Sequence, residues 1–470
     1  MKNVFQKTVS AFLLIAALFC MLTGMPPKNS TMENHQEQIR ALKDSLAREM
    51  RQALDAEFKA WYPLSVDTRY GGFLSDFDEN WKPVGDQDKM IVTQARHVWA
   101  TANASMFYKG DNSFARLGSH GMQFLKDYMW DKQYGGFFTL VSQQGQPYTM
   151  NDSSSKDAYG NAFAIYGLSA YFHATGDSTA LKLAQEAFRW MDRHSYDSLK
   201  GGYFQFFSIA GKPYIDGYRH TPPKDYNSSI HILECFTELY NVWPDPLVRE
   251  RLESLFHIIR DTMVAPKGYL RLYFDRSWKP ILHLGSGPSY MEYMVNHVSY
   301  GHDVETGYLL LEASKALGYK NDNVTLFKAK KLVDHALEYG WDKEHGGIFD
   351  GGYDDPLGKR ESIIRNTKEW WSELEALNAF LLMADLFPND EHHYFDKMCE
   401  QWTYCKKYLL DEKRGGWYLG GTDIVPENIS SEKGSIWKGN YHTSRALINC
   451  INRLTGTGEN NVGTIPKKSE

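Results

Sequence analysis

The sequence predicts an all-α protein, a closed (α/α)6 barrel of six helical hairpins with a short β-turn at one end of each. Three observations lead there. The first is an internal repeat: Asp67-Thr-Arg-Tyr-Gly71-Gly72-Phe73 is echoed at Asp131 to Phe137, Asp197 to Tyr203, Asp342 to Ile348 and Asp411 to Trp417, with a degenerate Lys267-Gly268-Tyr269 in the widest gap. The first glycines, at 71, 135, 201, 268, 346 and 415, lie 64, 66, 67, 78 and 69 residues apart, a period with room for two helices and a turn. The second is that apolar residues recur at three- and four-residue spacing in twelve stretches near 33–60, 90–108, 112–129, 158–174, 178–193, 226–242, 247–264, 303–317, 324–339, 367–386, 390–409 and 440–455. The third is that neither end of this repeat looks different from its middle. An open solenoid needs polar capping repeats, whereas a ring of six hairpins buries both ends.

Taken in order, Lys2 and Lys7 precede an apolar run from Ala11 to Leu22 that is short for a membrane span, so residues 1–24 read as a secretion signal and the expected location is periplasmic or extracellular. Cys20 offers a site for lipid anchoring, although Ala17-Leu18-Phe19 lacks the small residues that cleavage favours. The barrel then occupies 31–456, followed by a C-terminal tail, 457–470. Each glycine pair supplies a turn with positive φ, its Asp can bond the local backbone, and the next residue enters a short strand. No copy has the GxGxxG or GxxxxGK spacing that cradles phosphate. Every turn follows an odd-numbered helix and precedes an even-numbered one. The even helices, such as Asn161-Ala-Phe-Ala-Ile-Tyr166 and Ser228-Ser-Ile-His-Ile-Leu233, are the more apolar and form the inner ring.

Composition narrows the function. With 58 acidic and 52 basic residues and a net charge of -6, the chain has no electrostatic footprint for nucleic acid. Later segments lack the length and apolarity of a membrane span, and Cys235, Cys399, Cys405 and Cys450 are too scattered for a disulfide framework or a zinc site. The expectation is a monomer acting on a small molecule. Aromatic residues, 14% of the chain, suit a pocket lined by apolar faces.

Polar and aromatic residues that look out of place in helix interiors collect near the N-terminal ends of the even helices. They are Arg96 and Trp99, Tyr159 and Asn161, Tyr226, Asn227, His231 and Glu234, His302, Asp303 and Glu305, Trp370, Trp371, Glu373 and Glu375, and Trp437, Lys438, Tyr441, His442 and Arg445. In a closed ring those ends share one mouth, where six helix dipoles favour an anionic intermediate. A single histidine is more often a core residue, and His97, His220, His297, His392 and His393 are read so. His231, His302 and His442 differ because three separate repeats place one at the same level. Glu234 and Glu305 follow their histidines by three residues and can orient them. Two imidazoles with an arginine point to proton transfer beside a carbonyl: one removes the proton, the guanidinium holds the enediolate, and the other returns a proton on the opposite face. An ordinary imidazole pKa of about 6.5 would let one be neutral while the other is protonated. Alternatives on the same barrel are a glycoside hydrolase using Glu305 or Glu373, an aldose-ketose isomerase, a binuclear metal site on the two His-x-x-Glu stretches, and an exported sugar-binding protein.

At these residues the chain resembles the N-acylglucosamine 2-epimerase superfamily, most closely the cellobiose 2-epimerases. The resemblance rests on Asn161 to Tyr166, His231-Ile-Leu-Glu234 with Thr237 to Tyr240, Ser299-Tyr-Gly-His-Asp-Val-Glu305, Trp370-Trp371, and Trp437-Lys438 with Tyr441-His442, and it spans about residues 35 to 455. It implies reversible glucose-mannose conversion at the reducing end of β-1,4-linked disaccharides such as cellobiose or mannobiose, without metal or organic cofactor. It further implies His302 and His442 as the acid/base pair, Arg96 on the enediolate, His231 in ring opening, and Trp371 and Trp437 as sugar-stacking surfaces. Tyr159, Asn161, Asn227, Glu234, Glu305, Trp370 and Glu373 complete the expected substrate contacts. Two local departures stand out: a long stretch from Ser277 to Val298, and Ile436-Trp-Lys-Gly-Asn-Tyr-His442 in place of the common form. The apparent signal is a third, since family members are mostly cytoplasmic. Export would fit extracellular or periplasmic glycan breakdown.

Overall fold

The computed structural model describes residues 30–148, 156–219, 221–282, 295–355 and 361–457. The signal-like segment, Cys20, His220 and nearly all of the tail lie outside them. Among the described residues twelve α-helices follow one another: α1 (Ser30–Trp61), α2 (Ile91–Phe107), α3 (Ser113–Phe124), α4 (Ala158–Thr175), α5 (Ser178–Ser195), α6 (Tyr226–Val242), α7 (Pro246–Ile258), α8 (Tyr300–Ala316), α9 (Asn323–His335), α10 (Trp370–Leu386), α11 (Tyr394–Tyr408) and α12 (Tyr441–Thr455). The even helices pack side by side in the order α2, α4, α6, α8, α10, α12 and back to α2, and α12 also packs on α1. This is the (α/α)6 barrel, with the even helices inside. Among the described residues, no helix is long and apolar enough to cross a membrane.

The inner ring is apolar because its helices are covered on all sides. Residues Ala162 to Leu168 of α4 and Leu374 to Met383 of α10 are buried without a break. The outer helices are amphipathic, and Asp177, Asp245 and Asp322 cap α5, α7 and α9 by accepting bonds from backbone N–H groups two or three residues on.

Between each outer helix and the next inner one the chain makes a tight hairpin, bridged at Val66–Phe73, Trp130–Phe137, Tyr196–Tyr203, Val264–Leu270, Trp341–Ile348 and Leu410–Trp417. In the first hairpin Asp67 N–H donates to Gly72 O at 3.0 Å, and Oδ1 accepts from Arg69 and Tyr70 N–H at 3.0 Å each. The glycines at 71 and 72 have φ of 83° and 67°, which a side chain would strain.

A second repeat, of lysines, accompanies the glycine repeat. Lys89, Lys156, Lys224, Lys368 and Lys433 are fully buried, each bonded to its repeat's Asp: Asp67, Asp131, Asp197, Asp342 and Asp411, at 2.8, 2.6, 3.1, 2.7 and 2.7 Å. Four of the ammonium groups also donate to the carbonyl of the first glycine. Three of these lysines head the short strands β1 (Lys89–Met90), β3 (Lys156–Asp157) and β5 (Lys224–Asp225), antiparallel to β2 (Leu140–Val141), β4 (Phe206–Phe207) and β6 (Tyr273–Phe274) of the following hairpin. The degenerate fourth repeat loses both partners together. Ala265 stands for the Asp, and His297 heads β7 (His297–Val298), which joins β8 (Gly351–Tyr353) and β9 (Ser362–Arg365) in a three-stranded sheet.

Candidate active site

Counted from their first residues, the inner helices turn positions two, six and nine to a common centre. Position six supplies Arg96, Phe163, His231, Glu305 and Glu375, and position nine supplies Trp99, Tyr166, Glu234 and Tyr308. Tyr159, Asn227, Trp371 and His442 occupy position two, and His302 position three.

Arg445 of α12 ties this layer together. Its buried guanidinium donates to Glu375 Oε1 at 2.6 Å and also bonds Glu305, Glu234 and the Tyr441 hydroxyl. The Tyr308 hydroxyl donates to Glu375 Oε2 at 2.5 Å, and the Tyr441 hydroxyl to Glu234 Oε1 at 2.5 Å. Nitrogen or oxygen atoms of His231, His302 and Glu305 lie within 4.8 Å of one another, as do those of Glu305, Glu375 and His442. The cation among these carboxyls is Arg445 itself.

The three histidines converge with different partners. His231 Nδ1 pairs with Glu234 Oε2 at 2.9 Å, and His442 Nδ1 with Glu375 Oε1 at 2.6 Å. His302 Nδ1 faces hydroxyls, Ser299 Oγ at 2.7 Å and Tyr226 OH at 3.2 Å. With Nδ1 engaged, Nε2 is the nitrogen each ring has left for a ligand. The Trp371 ring sits 4.6 Å from the His302 ring and 5.6 Å from that of His442. Arg96 Nη2 donates to the Tyr159 hydroxyl at 3.1 Å, and its guanidinium lies over Phe163 and Tyr441. Arg96 Nε and Glu305 Oε2 are buried without a protein partner, and such groups are costly unless a ligand answers them.

Burial opposes ionisation of Glu234, but Arg445 and His231 outweigh it and hold the carboxyl at about 2. Burial pushes Glu375 up in spite of Arg445. Burial, then His231, His297, His442 and Arg96, pushes the His302 imidazole well down; burial, then Arg96 and Arg445, does the same to His442. For both rings the surroundings favour the neutral form over the charged one. Glu375, which burial pushes up, bonds His442 Nδ1 at 2.6 Å, so a proton on this pair is shared along that bond.

Several expected contacts belong to the hairpins instead. Asn161 Oδ1 accepts from Phe137 N–H at 2.8 Å, and both Glu373 oxygens from Ile348 N–H at 3.1 Å, with Gln401 Nε2 donating to Glu373 at 2.6 Å. Each is the fourth residue of its helix and holds the hairpin before it. Trp370 is buried, with the Lys438 ammonium 5.5 Å from its ring centre. Trp437 is 54% exposed. Glu234 orients His231 as its spacing predicts, while Glu305 turns to Arg445. Glu375 and Arg445, which the sequence flagged without a role, are central; their signal was position five or six of an inner helix.

The ring and its three-histidine, two-arginine pocket define a carbohydrate epimerase or isomerase on an (α/α)6 barrel. The family model of N-acylglucosamine 2-epimerase (GlcNAc 2-epimerase) matches residues 71–446, and the chain belongs to that family. It is 26% identical over 414 residues to the cellobiose 2-epimerase of Bacteroides fragilis, covering 86% of this chain and 98% of the relative. It is 22% identical over 402 residues to the D-mannose isomerase of Marinomonas mediterranea, covering 84% and 94%. Among solved structures, the cellobiose 2-epimerase from Spirochaeta thermophila superposes with a TM-score of 0.74 at 28% identity, covering 92% of this chain and 99% of that one.

Proposed function

We propose that the protein interconverts glucose and mannose at the reducing end of β-1,4-linked disaccharides such as cellobiose or mannobiose. The ring opens with help from His231. One imidazole takes the C2 proton, and the C–H electron pair forms the enediolate C1–C2 double bond as the carbonyl electrons move onto O1, beside Arg96. The other imidazole then delivers a proton to the opposite face of C2, and the C1 carbonyl re-forms. The observation that carries this reading is the convergence of His302 and His442, from α8 and α12, on the Trp371 ring, 4.6 and 5.6 Å from theirs. Tyr159, Asn227, Glu305 and Trp437 are the proposed sugar contacts around them. The signal-like segment supports a role outside the cytoplasm, on oligosaccharides released from glycans such as mannan, with one chain as the working unit.

The test is incubation with cellobiose or β-1,4-mannobiose in deuterated water. Deuterium at C2 of an intact epimerised disaccharide is the expected result, and monosaccharide release would overturn it. A second reading, aldose-ketose isomerisation, draws on the similarity to a D-mannose isomerase. It requires reprotonation at C1, so a ketose without C2 epimer would favour it.

A further inference from the structure

We propose that Ser299 and Tyr226 are positioning residues that set His302 apart from His442, fixing its ring and making it the imidazole that opens the cycle as base. This rests on the epimerase reading above. His231 and His442 each present Nδ1 to a carboxyl, whose charge stabilises an imidazolium. His302 presents Nδ1 to two hydroxyls, which bring no charge and can either donate or accept, so they satisfy the neutral ring in either tautomer. The other groups facing it, Arg96, His231, His442 and His297, disfavour added positive charge, and Glu305 is held by Arg445.

Two features of the chain argue that the hydroxyls are built for this. Ser299 occupies the N-cap position of α8, where a serine ordinarily accepts a bond from a backbone N–H of the first turn. Here the side chain makes no cap bond and reaches the imidazole three residues on. Ser299 is also one residue more than α4 and α6 have, since these start directly after β3 and β5. That extra residue puts Asp303 at the fourth helical position, where its Oδ1 accepts from Leu270 N–H at 2.8 Å, the hairpin duty of Asn161 and Glu373 elsewhere. His302 is thereby released to the pocket at position three. Tyr226, fully buried as the first residue of α6, sets its ring 5.1 Å from that of His302.

Deuterium exchange at C2 is first measured with the wild-type chain, then kcat and KM for Ser299→Ala, Ser299→Thr and Tyr226→Phe. Removing the Ser299 hydroxyl should lower kcat about 10- to 100-fold with KM within about twofold, because a misaligned base slows chemistry without weakening sugar binding. Ser299→Thr, which keeps the hydroxyl, should recover most of the loss, and Tyr226→Phe, at the longer bond, should lose less. Wild-type kcat in both hydroxyl deletions, or a threonine variant as slow as the alanine one, overturns the proposal. Absence of C2 exchange in the wild type instead removes the epimerase reading. A 15N-histidine NMR spectrum then still decides the positioning claim: Ser299→Ala should move the Nδ1 resonance of His302 and leave that of His442, and an unmoved His302 resonance refutes it.

Discussion

The glycine hairpins and the barrel centre both bury charge, and they do so by opposite rules. In the hairpins each lysine meets its repeat's aspartate, five times over, and Lys368 meets Asp423 as well. At the centre three carboxyls share Arg445, each inner helix contributes something different, and Arg96 Nε and Glu305 Oε2 are left unanswered. Charge that is matched and repeated holds the fold. Charge that is shared, unequal and incompletely answered is available to a substrate, and the fourth repeat, which surrenders its lysine-aspartate pair, is also the one that carries His302 and Glu305.

The largest effect should come from the centre. His302→Ala and His442→Ala should each cut kcat about a thousandfold, within the range for lost acid/base catalysis, with melting temperatures near wild type. Retention of activity in either would merge the two classes of charge. A hairpin should respond in the reverse sense. Lys156→Met leaves Asp131 buried without its cation and should cost about 3–5 kcal/mol in chemical denaturation, while the folded fraction keeps its specific activity. The double variant Lys156→Met/Asp131→Asn should regain part of that loss.

Glu373 and Glu375 bring the contrast to two positions on one helix. Glu375→Gln removes the carboxyl that bonds His442 Nδ1 and should lower kcat about 100-fold. Glu373→Gln should stay within about threefold of wild type, since Glu373 only supports a hairpin and Gln401. Burial pushes Glu373 up to about 8, so it is mostly protonated at neutral pH. A carboxyl raised on folding contributes stability below its unfolded value of 4.5 that is lost as pH climbs through about 8. Wild-type stability should decline across that window, and Glu373→Gln should flatten the decline. Equal activity losses in the two variants would erase the distinction.

The sequence made one of these regions much easier to read than the other. Glycine pairs with a leading Asp are local and repeat almost verbatim, and buried helices keep their apolar period, so ring and hairpins were both legible. The lysines were not: they follow their aspartates by 22, 25, 27, 26 and 22 residues, because the loops between vary and no local motif marks them. At the centre the histidines and Arg96 were legible as polar residues on apolar helices. The hairpin contacts of Glu373 and Asn161 were not legible, because a sequence pattern gives the helix but not its phase. Position four looks to the hairpin and position six to the axis, and a register shift of one residue, supplied by Ser299, decides where His302 falls.

The smallest expected effect is a shift in the pH profile, and it separates the two imidazoles proposed as base and acid. His302 must be neutral to act as base. Burial and its positive neighbours hold its pKa well below the ordinary value, so it keeps its free nitrogen as pH falls through about 6.5, and the acid limb of kcat/KM should lie lower than that. The alkaline limb should report the Glu375–His442 pair as a unit, since the two groups bond directly. Ser299→Asp would give His302 the carboxylate that His442 has. Its imidazolium would then be stabilised, and the acid limb should move up toward neutrality. A wild-type acid limb already centred near 6.5, unmoved by that substitution, would mean that the hydroxyls and the carboxyl do the same work and that the two histidines are interchangeable.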